Sequence, residues 1–285
     1  MLTKEIDTFM DWKATHTRTV GNRYPLHLKR FDDHCQKSIE DITLSDIVSF
    51  YNALEHKKYS GANISYSVTI IKSFIGFYYS QGICKVSPKL IKIQKPIPKS
   101  HYSIEKDEYE RMLEVLRDDE LWNVQKKIII RLLWETGVRV SELCALNISD
   151  MSSTETRARI LTKKNNKQRW IFWSQETHDL IISFLGVRLC TNQRAHLFMT
   201  ERGHNRPTTR TIERWIIDTV KKAGIEKKIT PHSFRHARAH RILDQGGNVV
   251  DIQKILGHSD NDPRAAFAYL RLNNTEIEKI ARKYP

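Results

Sequence analysis

Four short stretches of this chain carry residues whose types and spacing suit chemistry on a phosphate group. In Thr136-Gly137-Val138-Arg139-Val140-Ser141-Glu142-Leu143, a glycine stop precedes a new helix, with Arg139 expected in its first turn. The start of a helix offers free N–H groups and a positive dipole end to an anion, and a guanidinium adds a planar two-pronged donor matched to phosphate oxygens. Glu142, three residues on, shares that face and can hold the guanidinium, as an ordinary surface Arg–Glu pair would. In Thr230-Pro231-His232-Ser233-Phe234-Arg235-His236, His232 and Arg235 stand at i, i+3 and combine a proton-transfer group with a phosphate clamp. A basic helix end that only rests on a polyanion reads the same way. His236 and His240 have the i, i+4 spacing of a zinc pair, but no third ligand is evident. Ile255-Leu256-Gly257-His258 sets a histidine just past a helix-ending glycine, where a structural hydrogen-bonder is the common occupant. Finally, Ala265-Ala266-Phe267-Ala268-Tyr269-Leu270 carries Tyr269, by periodicity a core aromatic as readily as a nucleophile. A phenol, with an ordinary pKa of about 10, needs cationic neighbours or a base before it can attack anything.

Such residues need a scaffold, and hydrophobic periodicity outlines one. Leu2, Ile6, Phe9 and Met10 recur at helical spacing, as do Leu26, Leu28 and Phe31. A helix from Thr43 to Leu54, capped by Thr43 or Ser45, and a longer one from Ser60 to Tyr79 ending at Gly82 complete a compact four-helix unit. Pro88, Pro96 and Pro98 then interrupt a stretch rich in lysine (Lys89, Lys92, Lys95, Lys99), which reads as a basic, extended interdomain linker. Helices resume near Ile104–Leu116 and Trp122–Thr136. The segments Arg159-Ile160-Leu161-Thr162 and Arg169-Trp170-Ile171-Phe172-Trp173 are β-prone, and Lys164-Asn165-Asn166 between them signals a turn, so a small hairpin is expected. Further helices are expected over Gln175–Leu185, Thr208–Ala223, Ser233–Leu243 and Val249–Leu256, then one around Tyr269 and a tail helix from about Thr275 to Arg282. The fold class is therefore mainly α with one small β-hairpin.

The 285 residues carry a net charge of +14, with 40% hydrophobic and 28% charged residues, as in a soluble globular chain. The excess is spread: 15 basic against 9 acidic residues in 1–100, hence +6, and 32 against 24 in 101–285, hence +8. A field of that size points to a polyanionic partner, chiefly nucleic acid or an anionic membrane, with nucleic acid the preferred reading. No apolar run approaches the ~20 residues that span a bilayer, and the N-terminus lacks a signal-peptide layout, so no membrane partner and a cytoplasmic address are expected. Cys35, Cys84, Cys144 and Cys190 are far apart and read as small buried hydrophobes.

Taken in order, Arg139, a hairpin with Lys164, His232-Ser-Phe-Arg235, Leu256-Gly257-His258 and Tyr269 closely resemble the tyrosine recombinase/integrase family, most of all its Xer-like and simple phage or transposon members. The stretch HSFRHARAHRILDQGGNVVDIQKILGH, from His232 to His258, resembles the family throughout. The likeness covers about the last 180 residues by motif, and residues 1–85 by architecture alone. It implies a helical core-binding domain over 1–85, a linker over 86–101 and a mostly α catalytic domain over 102–285 with a C-terminal tail helix. It also implies site-specific recombination of duplex DNA through a 3′-phosphotyrosyl intermediate, in a tetramer of two dimers on DNA, with no cofactor and no metal. By the same likeness Tyr269 is the nucleophile, Arg139 and Arg235 clamp the non-bridging oxygens, His232 is the general base, His258 bonds the phosphate, Lys164 is the general acid and Glu142 supports Arg139. Two features depart from the family. Lys163-Lys164-Asn165-Asn166-Lys167 replaces a glycine-flanked lysine, leaving Lys163 and Lys167 close to the assigned position. The interval from His258 to Tyr269, eleven residues, exceeds the family's usual spacing, the excess falling in Ser259–Pro263. A type IB topoisomerase and a catalytically silent DNA-binding protein are the alternative readings.

Overall fold

The computed structural model describes residues 1–17, 23–93, 102–152, 154–162, 167–188, 195–201 and 205–257. The chain divides into two compact units, Met1–Lys99 and Ser100–Pro285.

Among the described residues the first unit holds four α-helices: α1 (Thr3–His16), α2 (Tyr24–Cys35), α3 (Leu44–His56) and α4 (Gly61–Ser80). Two of their starts are fixed by side chains that satisfy otherwise orphaned backbone N–H groups. Thr43 and Asp46 cap α3 reciprocally, and Ser60 caps α4. Phe9, Leu28, Phe31, Phe50, Ile71 and Phe74 form the core. The Tyr78 hydroxyl donates to the Glu5 carbonyl at 2.8 Å, tying α4 to α1. Part of the stretch read as linker belongs to this unit. Val86 and Ile91 are buried in its core, a short 3-10 turn spans Pro88–Leu90, and Lys72 Nζ donates to the Ile91 carbonyl at 2.9 Å. The proline content marks broken helix correctly, but the two apolar side chains win the segment for the core. Residues 94–101 lie outside the described residues.

In the second unit, α5 (Lys106–Glu114) and α6 (Leu121–Thr136) are followed by α7 (Val140–Ala145), the antiparallel pair β1 (Arg157–Thr162) and β2 (Lys167–Phe172), α8 (Gln175–Val187), α9 (Thr209–Lys222), α10 (Pro231–Asp244) and α11 (Val249–Leu256). Helix α6 is buried or half-buried along its whole length, as a central helix must be, and packs against α5, α8, α9 and α10. Its Gln125 is buried only because the Met199 backbone supplies both partners, the amide at 3.0 Å and the carbonyl at 2.9 Å. The hairpin pairs Ile160 with Arg169, so by strand alternation Ala158, Ile160, Arg169 and Ile171 share the inner face. Trp170 and Phe172 are exposed on the other. Cys84 and Cys144 are buried and Cys35 half-buried, and burial pushes the Cys35 thiol up to about 12. Cys190, the turn with Lys164, the helix expected around Tyr269 and the tail helix lie outside the described residues.

Candidate active site

The site is assembled where three helix ends meet: the end of α6, the start of α7 and the end of α11. Gly137 stops α6 in the left-handed region, with φ of 63°. A Cβ there would stand 2.6 Å from Leu256 Cδ2 and 3.1 Å from Arg238 Cβ, so glycine is required both for the turn and for the approach of α10 and α11. The chain then enters α7 at Arg139. Contrary to the sequence expectation, Arg139 is the N-cap of α7, in extended conformation, rather than a residue of its first turn. The reason is Glu142, whose Oε2 accepts the Arg139 backbone N–H at 3.1 Å while Oε1 accepts from Nη1 at 3.0 Å. One carboxylate thus caps the helix and holds the guanidinium. Glu142 is almost wholly buried, whereas the Arg139 side chain is about a third exposed.

Helix α10 begins at the Thr230 N-cap with Pro231 at its first position, where a missing N–H costs nothing. His232 is exposed on this first turn; Arg235, one turn on, is 3% exposed. Arg235 reaches across to two backbone carbonyls. Its Nη1 donates to Gly137 O at 2.7 Å and its Nη2 to Leu256 O at 2.5 Å. Arg139 Nη2 donates to the next carbonyl, Gly257 O, at 3.2 Å. The last carbonyls of α11, orphaned by the end of the helix and carrying its negative dipole, therefore seat both arginines.

A third guanidinium, from a residue the sequence reading did not single out, completes the cluster. Arg169 of β2 donates from Nη2 to Glu142 Oε2 at 3.0 Å and to Leu256 O at 3.2 Å. Its Nε and Cδ lie against Gly257, which is left-handed with φ of 65°. Gly257→Ala is therefore expected to cost about 1–2 kcal/mol for the backbone alone, and to displace Arg169 as well. A thermal unfolding midpoint unchanged from wild type would contradict that expectation.

The structure thus brings Arg139, Glu142 and Arg235 together and sets His232 one turn from Arg235. Lys164, His258 and Tyr269 lie outside the described residues, His258 being the residue after Gly257. His236 and His240 lie half-buried on α10, and no group of three His, Cys, Asp or Glu side chains able to hold a metal occurs among the described residues.

Residues 103–275 match the phage integrase family. The chain belongs to that family. Tyrosine recombinase XerC of Leptospira interrogans serogroup Icterohaemorrhagiae serovar copenhageni is 26% identical over 289 residues, covering 98% of this chain and 91% of the relative. The crystal structure of XerA recombinase is 29% identical, with a TM-score of 0.56 over 100% of this chain and 99% of that one. The Tn1549 transposon integrase, solved in complex with a circular intermediate DNA, shares the fold with a TM-score of 0.76 at 17% identity, covering 98% and 99% of the two chains. Membership makes the chain a tyrosine-type site-specific recombinase, and the mostly helical fold with one small sheet is the family's.

Proposed function

We propose that this recombinase exchanges strands at a specific duplex DNA site through a 3′-phosphotyrosyl intermediate, with Tyr269 as the nucleophile. The observation that supports this most is the convergence of Arg139 and Arg235 on the end of α11, directly before His258, with the Glu142 carboxylate paired to Arg139. In-line phosphoryl transfer asks for placement and charge neutralisation more than for further chemistry, and two guanidiniums supply both. The Tyr269 oxygen bonds to phosphorus as the bond to the 5′-oxygen breaks. His232 takes the phenol proton, Lys164 gives a proton to the departing 5′-oxygen, and His258 bonds a non-bridging oxygen. Attack by a 5′-hydroxyl of another strand then releases the tyrosine, so the energy of the broken ester is kept and no cofactor is consumed.

On this reading residues 102–285 are the catalytic domain, and 1–85, extended by the packed stretch to Ile91, the core-binding domain. What remains of 86–101 is the linker. Exchange between two duplexes calls for four protomers. A cytoplasmic address fits a DNA-acting chain whose described residues include no helix long and apolar enough to cross a membrane. Binding through phosphates makes affinity steeply salt-dependent, falling by about 10³-fold or more between roughly 50 and 200 mM salt if six or more phosphates are contacted. A flat response in filter binding would remove the phosphate-based account. The function itself is tested with two copies of a candidate site, taken from DNA flanking the gene, on one plasmid. Reciprocal exchange products are expected without nucleotide or metal. Relaxation of a plasmid lacking the site, with no exchange, would instead mark a topoisomerase.

A further inference from the structure

We propose that Arg169 is a positioning residue of the phosphate clamp, which by sharing the Glu142 carboxylate keeps Arg139 available to the scissile phosphate. The inference rests on the reading of Arg139 as a clamp given above. Arg169 occupies a strand position whose inner-face neighbours Ala158, Ile160 and Ile171 are all buried and apolar. Were only packing at stake, a β-branched residue would fill it without desolvating a charge. Its side chain is 12% exposed, and its Nε and Nη1 are buried with no hydrogen-bond partner among the described residues. Burial, only partly offset by Glu142, lowers its pKa. A buried cation left two-thirds unpaired needs a reason beyond stability.

The geometry supplies one. Glu142 Oε1 serves Arg139 Nη1, while Oε2 serves both the Arg139 N–H and Arg169 Nη2. One negative charge is thus divided between two guanidiniums, and the trio keeps a net charge of +1. Without Arg169 the carboxylate would neutralise Arg139 alone, and the remaining pair would present no net charge to a phosphate. Arg169 also holds Leu256 O, the carbonyl that Arg235 uses, so both clamp arginines are registered to one helix end through it.

The test compares wild type, Arg169→Gln, Arg169→Lys and Arg169→Gln/Glu142→Gln for the rate of covalent adduct formation on a nicked duplex. The duplex carries either a phosphodiester or an uncharged methylphosphonate at the scissile position. Arg169→Gln is expected to slow adduct formation about tenfold or more on the phosphodiester but less than about threefold on the methylphosphonate, which has no charge to neutralise. Removing the carboxylate charge as well leaves the double variant no slower than Arg169→Gln. Arg169→Lys keeps the charge and stays within about threefold of wild type, which covers a glutamine variant that fails to fold. An equal loss on both linkages, or a lysine variant as slow as the glutamine one, overturns the proposal. In parallel, inorganic phosphate is titrated into the full chain without DNA, followed by the arginine side-chain N–H resonances. Weaker phosphate binding is expected in Arg169→Gln, and unchanged binding counts against the proposal. Should wild type form no adduct on any DNA, the reading of the clamp as part of a recombinase fails, and the phosphate titration alone decides the role of Arg169.

Discussion

Arg235→Ala is expected to abolish strand cleavage and to destabilise the catalytic unit at the same time. The guanidinium is buried and joins Gly137 O, at the end of α6, to Leu256 O, at the end of α11. Removing it leaves two buried carbonyls without this donor and opens a void between three helices, a loss of about 3–5 kcal/mol by analogy with other buried charged partners. If Arg235 also holds a non-bridging oxygen, cleavage falls by about 10³-fold in addition. Arg235→Lys separates the two effects. A lysine keeps the charge but cannot span both carbonyls, so most of the cleavage defect should remain while part of the stability returns. Thermal unfolding without DNA, beside adduct formation at saturating DNA, reads the two losses independently. A stable Arg235→Ala protein that cleaves at the wild-type rate would remove Arg235 from the site.

Glu142→Ala is the second large effect, and here the cause is electrostatic. The carboxylate is the shared acceptor of Arg139 and Arg169 and caps α7 through the Arg139 N–H. Deleting it leaves two guanidiniums facing each other, one of them buried, at a cost of about 3–5 kcal/mol. For a unit of this size that corresponds to a midpoint lowered by roughly 10 °C. Inorganic phosphate, offering the pair another anion, should restore part of the loss, and more so than in wild type. A midpoint within about 1 °C of wild type would mean that the cluster is not held together by this carboxylate.

Much of the scaffold was legible because its boundaries are written in local chemistry. Thr43, Ser60 and Thr208 accept the N–H groups that their helices leave unpaired, and Gly137 and Gly257 close α6 and α11 in the left-handed region. Helix α11 falls over Val249–Leu256 as its apolar period and closing glycine indicate, and the hairpin falls between residues 157 and 172. What periodicity could not give was the position of Arg139 to within one residue, since that depends on where the Glu142 carboxylate finds a backbone donor. Nor could it assign Val86 and Ile91, two apolar residues in a proline- and lysine-rich stretch, to a core built from distant helices.

The largest omission was Arg169. In Arg169-Trp170-Ile171-Phe172 the aromatic residues suggest the buried face, yet the pairing of Arg169 with Ile160 sends Trp170 and Phe172 outward and the arginine in. Register decides this, and register is a property of two strands rather than one. The alternation of Ala158 and Ile160 on the facing strand was the available signal. The carbonyl partners of Arg235, one of them 98 residues away in sequence, left no local trace.

The central claim is a covalent bond between Tyr269 and a 3′-phosphate, and one measurement meets it directly. A nicked suicide duplex, drawn from DNA flanking the gene, is incubated with wild type and with Tyr269→Phe, and the trapped protein is digested and its DNA-linked peptide identified by mass. The account predicts an adduct in wild type on the peptide that contains Tyr269, and none in Tyr269→Phe. An adduct that survives the substitution, or maps to another residue such as Tyr284, would contradict it.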